Sequence, residues 1–156
     1  KAALLELGER WPAPVAVAEL PELIRSRLEK ETGAATGEHA LLGQDGFAAM
    51  LRQLYSGNFV ELHAMPPCFV TGISEHPVAS AVARAQLATG PSATSLRHTR
   101  VEIGDEAGRT LITLLDGTRD LAALRRDLGA ALGREVSEDG LRRSLELAAR
   151  SALLVR

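Results

Sequence analysis

The sequence predicts a mainly α-helical protein with short β-strands, arranged as two tandem units of three helices and a strand joined by a packed linker. Three observations predict it. Apolar residues recur at helical spacing in a series of stretches, strand-like alternation is confined to short runs, and the order of the first half recurs in the second. Composition agrees: of 156 residues 46% are hydrophobic, 24% charged and only 3% aromatic, so the core must come from Leu, Ala and Val. Ala and Leu are strong helix formers.

Taken in order, residues 2–10 place Leu4, Leu5 and Leu7 on a helix that stops at Trp11-Pro12. A second helix over 17–28 carries Leu20, Leu23, Ile24 and Leu28 on one face, with Pro21 in its first turn, where a missing N–H is tolerated. The Gly- and Ala-rich stretch 31–43 is expected to loop. Asp45 is expected to cap a third helix bearing Phe47, Met50, Leu51, Leu54 and Tyr55, which Gly57 ends. Phe59-Val60-Glu61-Leu62-His63 follows as a short strand.

The later half repeats this order. Residues 108–115 form a helix ending at Asp116-Gly117; Leu121, Leu124, Leu128 and Leu132 mark the next; Asp139 caps a third with Leu141, Leu145 and Ala148; and 152–155 is strand-like. Asp45-Gly46-Phe47 and Asp139-Gly140-Leu141 lie 94 positions apart, and the same shift sets Leu51 on Leu145, Phe59 on Leu153 and Val60 on Leu154. Helix, helix, helix, strand is the order of a winged-helix unit. The expected organisation is therefore a first winged-helix-like unit at 1–64, a packed linker with one helix at 65–100, and a second unit at 101–156. Within the linker, 78–87 is expected as helix, Gly90-Pro91-Ser92 as a turn, and Val101-Glu102-Ile103 just after it as a strand. Leu54, Phe59, Leu124 and Leu145 are the expected core markers.

Charge bounds the function. Net charge is −2, nearly all cations are arginine, and the halves on either side of Val78 stand at −4 and +2. Neither concentrates the positive charge that phosphate neutralisation needs, so no nucleic-acid partner is expected. No apolar run approaches a bilayer span, so no membrane partner is expected either. The single cysteine, Cys68, permits no internal disulfide and suits a reducing, cytoplasmic compartment. The opening, Lys1-Ala2-Ala3-Leu4-Leu5, lies within a helical pattern without an initiator Met, as expected of a boundary inside a longer protein.

The chemistry-bearing residues form no catalytic or metal constellation. His39, His63, Cys68, His76 and His98 fall in no metal-ligand spacing. Cys68, among Pro66, Pro67, Phe69 and Val70, is expected to be buried and structural. There is no glycine-rich nucleotide loop and too little strand for a parallel sheet, so no catalytic, cofactor-binding or metal residues are expected. A DNA-binding winged-helix regulator is the alternative class. It is disfavoured because the third helices offer Arg52 and Gln53 in one unit, and Arg142, Arg143 and Arg150 interleaved with acids in the other. The most unusual polar cluster is Ser95-Leu96-Arg97-His98-Thr99-Arg100. Its Arg97, His98 and Arg100 are the candidate partner-binding residues, because guanidinium forks suit carboxylates.

On the run from Leu54 to His63, then His76-Pro77-Val78-Ala79-Ser80, Ser95-Leu96-Arg97-His98 and the stretch 114–120, the chain resembles the C-terminal extension of certain bacterial class I methyltransferases, often called a regulatory domain. The resemblance extends from Leu4-Leu5 through Trp11-Pro12 to Leu153-Leu154-Val155, with Ser95 where Asn is expected before Leu96-Arg97-His98. It implies an S-adenosylmethionine-dependent parent enzyme, in some relatives a protein lysine methyltransferase of outer-membrane proteins. The cofactor would sit in an N-terminal Rossmann-like domain, and none in this chain. The implied partners are that N-terminal domain of the same polypeptide and a protein or peptide substrate. The last unit also resembles small winged-helix proteins that hold precursor peptides. The implied role is accessory: positioning a protein substrate or regulating the catalytic domain.

Overall fold

The computed structural model describes residues 1–32, 43–65 and 67–155. Most of the expected 31–43 loop, His39 included, lies outside the described residues. The chain divides into two compact units, Lys1–Pro66 and Pro67–Arg156.

The first unit contains α1 (Ala2–Arg10), α2 (Leu20–Thr32) and α3 (Gln44–Ser56). Its core is small: Ala3, Leu20 and Ile24 are buried, with Leu7, Leu28, Phe47, Met50, Leu51 and Leu54 packed around them. A charged clasp reinforces α1 against α2. Glu6 accepts hydrogen bonds from Arg27 and Arg10, and Arg27 also donates to Glu9. The Arg27 guanidinium holds the Glu6 carboxyl below its usual range, and the two carboxylates hold Arg27 protonated.

The second unit runs β1 (Val78–Ala79), α4 (Ala81–Thr89), β2 (Ser92–Thr94), β3 (Arg100–Glu102), α5 (Glu106–Leu114), α6 (Leu121–Leu132), α7 (Glu138–Arg150) and β4 (Leu154–Val155). β2 pairs antiparallel with β3, and β1 with β4, in two separate two-stranded sheets. One side chain after another from the leucine stripes enters a single core: Leu111, Leu115, Leu124, Leu128, Leu141, Leu145, Leu153 and Leu154. Each contributes about 1.5–3 kcal/mol on burial. Ala79, Ala83, Ala93, Ala148 and Ala149 are buried in the same core. The stretch 65–100, expected as a packed linker with one helix, supplies β1, α4 and β2 to this core.

Several local expectations are corrected. Phe59-Val60-Glu61-Leu62-His63 forms no strand, and Phe59 is 68% exposed, its ring lying over the end of α3 so closely that a Cβ at Gly57 would meet it at 2.8 Å. A strand needs a partner for its N–H and C=O groups, and none is paired there. Asp45 and Asp139 are not the N-caps: Gly43 and Ser137 precede the helices, and Ser137 Oγ accepts from the Gly140 N–H. The two aspartates occupy the first turn, where helix dipoles favour negative charge. Helix α4 begins three residues later than expected because Ser80 caps it, accepting from the Ala83 N–H. Gly57 sits at the end of α3, but the left-handed residue is Asn58, with φ 56°.

The helix ends of the two halves share backbone hydrogen-bond patterns. α3 and α7 both have 13 residues and lie 94 positions apart. They end in the same left-handed cap: Asn58 and Ala152 have φ of 56° and 53°, Phe59 N–H donates to Leu54 O as Leu153 N–H does to Ala148 O, and Asn58 N–H donates to Tyr55 O as Ala152 N–H does to Ala149 O. α1 and α5 both have nine residues, and their end bonds, Trp11 N–H to Gly8 O and Leu115 N–H to Ile112 O, are 104 positions apart. The spacing between the first and third helices thus differs by ten residues between the two halves. The first copy has three helices and, among its described residues, no strand.

Candidate functional site: the hairpin tip and the α6–α7 groove

The cluster Ser95-Leu96-Arg97-His98-Thr99-Arg100 is the tip of the β2–β3 hairpin. Ser95, 3% exposed, organises it. Its N–H donates to Thr99 O at 2.9 Å, its hydroxyl lies 2.7 Å from Thr99 Oγ1, and its Oγ accepts from the Arg97 and Thr99 N–H groups. A serine hydroxyl can thereby replace the side-chain-to-backbone turn that asparagine makes. His98 takes φ 58° to close the turn, donating its N–H to Ser95 O at 2.9 Å. The Leu96 N–H donates to Ala152 O, anchoring the tip to the end of α7, and Gln86 of α4 accepts from the Thr94 N–H at 2.7 Å.

The predicted partner-binding residues therefore share one turn. Arg97 is half-buried, and His98 and Arg100 are exposed. Arg100 lies 2.6 Å from Glu102 in an exposed ion pair, a kind that contributes little and exchanges readily. In this region the sequence predicts a strand only at Val101-Glu102-Ile103, whereas the structure pairs β3 with a second strand, β2, that begins on Ser92 at the edge of the expected turn.

The stretch 114–120 is structural. Asp116 accepts from the Thr118 hydroxyl at 2.6 Å and N–H at 3.0 Å. Arg119 donates to Asp116 at 2.9 Å, to Leu114 O at 3.2 Å and to Asp127 of α6 at 3.0 Å. The Thr118 hydrogen bonds, then Arg119, hold the Asp116 carboxyl well below the usual carboxylate range, and Arg119 lowers Asp127. Asp120 caps α6, accepting from the Ala123 N–H at 2.7 Å.

Sequence reasoning did not find the groove beside this turn. It is a cavity of about 350 Å³ between the starts of α6 and α7, with Leu121, Ala122, Leu141, Leu145 and Ile73 as apolar wall and Arg125, Arg142 and Glu138 at its edge. Only pairing two helices in space creates it.

Cys68 is exposed rather than buried, because its neighbour Phe69 turns inward to bridge Val155. His63 lies 3.4 Å from Glu61 on an exposed segment. Among the described residues no group of His, Cys, Asp or Glu could hold a metal ion, and no helix is long and apolar enough to cross a membrane. On α7, exposed Arg142, Arg143 and Arg150 are offset by Glu138, Asp139 and Glu146.

Residues 75–153, just over half of the chain, match the family described as PKMT, C-terminal winged helix domain. The fold is similar to that of PKMT2 from Rickettsia typhi in complex with AdoHcy, with TM-score 0.72, 17% identity, and 99% of this chain but 34% of that one covered. A second structure of PKMT2 from Rickettsia typhi gives TM-score 0.71, 19% identity, and 99% and 33% coverage. The chain thus spans about a third of the length of these proteins. No curated protein matches. With its mainly helical build and its match over α4 to α7, the chain belongs to the family of C-terminal winged helix domains of protein lysine methyltransferases.

Proposed function

We propose that this domain is a non-catalytic accessory module of an S-adenosylmethionine-dependent protein lysine methyltransferase, and that it positions the protein substrate for a catalytic domain elsewhere in the same polypeptide. The family match carries this reading. It is supported by the strands: among the described residues they form only two-stranded antiparallel sheets, which lack the carboxyl-end crevice where a nucleoside cofactor binds. The AdoHcy in the PKMT2 neighbour supports S-adenosylmethionine as the parent's cofactor. Arg97, His98 and Arg100 are the contact residues in this reading, because a hairpin tip presents them together outside the core. A cytoplasmic site of action belongs to the same reading, supported by the single cysteine.

The DNA-binding alternative finds little support, since the charges on the outer face of α7 cancel. The test is methyl transfer by a full-length enzyme carrying this domain. Arg97→Ala with Arg100→Ala should lower transfer to a protein acceptor while the melting temperature and S-adenosylmethionine affinity stay unchanged. Unchanged transfer removes the hairpin from the reading; a collapse in stability makes these arginines structural braces.

A further inference from the structure

We propose that the groove between the first turns of α6 and α7 is a docking site for an acidic peptide segment with apolar anchor residues, presented in trans by a protein partner. The floor is firm: Leu141 and Leu145 are 3% and 1% exposed and belong to the main core. The mouth is open and apolar, since Leu121 keeps 39% of its surface in water although it starts a helix whose other leucines turn inward. A cavity of about 350 Å³ is at the small end of ligand pockets, which span roughly 300–1,000 Å³, and suits one or two aliphatic side chains rather than a cofactor.

Charge selects the occupant. Arg125 forms no ion pair among the described residues, and Arg142 reaches only Glu138, at 3.9 Å across an exposed surface. Among the residues lining the groove, two guanidinium groups against one carboxylate leave the edge cationic. Carboxylates flanking an apolar anchor satisfy edge and floor together. Nucleic acid would satisfy only the edge and leave the apolar floor uncovered.

The use of this site in substrate positioning rests on the reading above, but docking itself is a property of this chain. Fluorescence anisotropy with a labelled peptide of alternating leucine and glutamate should show saturable binding, at least ~10-fold tighter than its leucine–lysine counterpart. Leu121→Asp, and Arg125→Glu with Arg142→Glu, should each weaken binding at least ~10-fold without moving the melting temperature. Backbone amide shifts of the unaltered chain should move at residues 121–125 and 138–145. Equal affinity for both peptides, unchanged affinity in the variants, or shifts centred elsewhere would overturn the proposal. So would a sedimenting dimer that Leu121→Asp dissolves, because the occupant would then be a second copy. None of these results bears on the hairpin, since Arg97 and Arg100 do not line the groove.

Discussion

Gly117 lies in the turn between α5 and α6 with φ +84°, and a Cβ there would stand 2.8 Å from Val78 Cγ2. Val78 has little room to yield: it pairs with Val155 in the β1–β4 sheet and bridges Asp116. Gly117→Ala should therefore combine two costs. The left-handed backbone costs a non-glycine residue about 1–2 kcal/mol, and forcing a methyl into packed neighbours costs about 1–3 kcal/mol, giving about 2–5 kcal/mol together. Gly133 supplies the control. It has φ +62°, but a Cβ there meets nothing within 4 Å, so Gly133→Ala should show the first cost alone, about 1–2 kcal/mol. Gly117 lies in the second unit, so the readout must belong to that unit. Hydrogen exchange at the Ala79 and Ser80 amides, which donate to Leu115 O at 2.8 Å and Leu153 O at 2.9 Å, reports its opening free energy. Fluorescence of Trp11, the only tryptophan, should stay unchanged as a reporter of the first unit. If the two variants agree within ~0.5 kcal/mol, Val78 moves aside freely and the close approach of β1 to Gly117 does not constrain the turn.

Leu124→Ala and Leu145→Ala, at positions 0% and 1% exposed, should each cost about 2–5 kcal/mol in denaturant melts. Phe59→Ala should change stability by less than ~0.5 kcal/mol, the opposite of what its sequence pattern predicts. Acid should weaken the second unit as pH falls through and below the ordinary carboxylate range, because Asp116 and Asp127 carry lowered pKa values when folded. Their contribution is fully present above the unfolded value, and a pH titration of stability in Asp116→Asn should show a shallower loss. Calorimetric titration of this chain with S-adenosylmethionine should be flat; micromolar saturable binding would refute the assignment of the cofactor to another domain.

Helix content was legible in the sequence because each leucine stripe repeats at the helical period. α1 is expected and found at residues 2–10, and the shift that aligned Asp45 with Asp139 also aligns the end bonds of α3 and α7. Local chemistry sufficed there: capping and periodicity act within a turn or two of the chain. Strands were less legible, because a strand exists only when a distant segment satisfies its backbone. Phe59-Val60-Glu61-Leu62-His63 has strand composition but no strand partner, whereas Ser92-Ala93-Thr94, which starts on the last residue of the expected Gly90-Pro91-Ser92 turn, pairs with Arg100-Val101-Glu102. The candidate partner residues Arg97, His98 and Arg100 could be named from the sequence, but only the folded turn makes Ser95 the buried hydroxyl that shapes it. The groove had no linear signature at all. Leu121 and Leu145 are 24 positions apart and read as two ordinary core leucines; the tertiary arrangement of α6 and α7 buries one and leaves the other partly in water at the groove, because burial depends on neighbours distant in the chain.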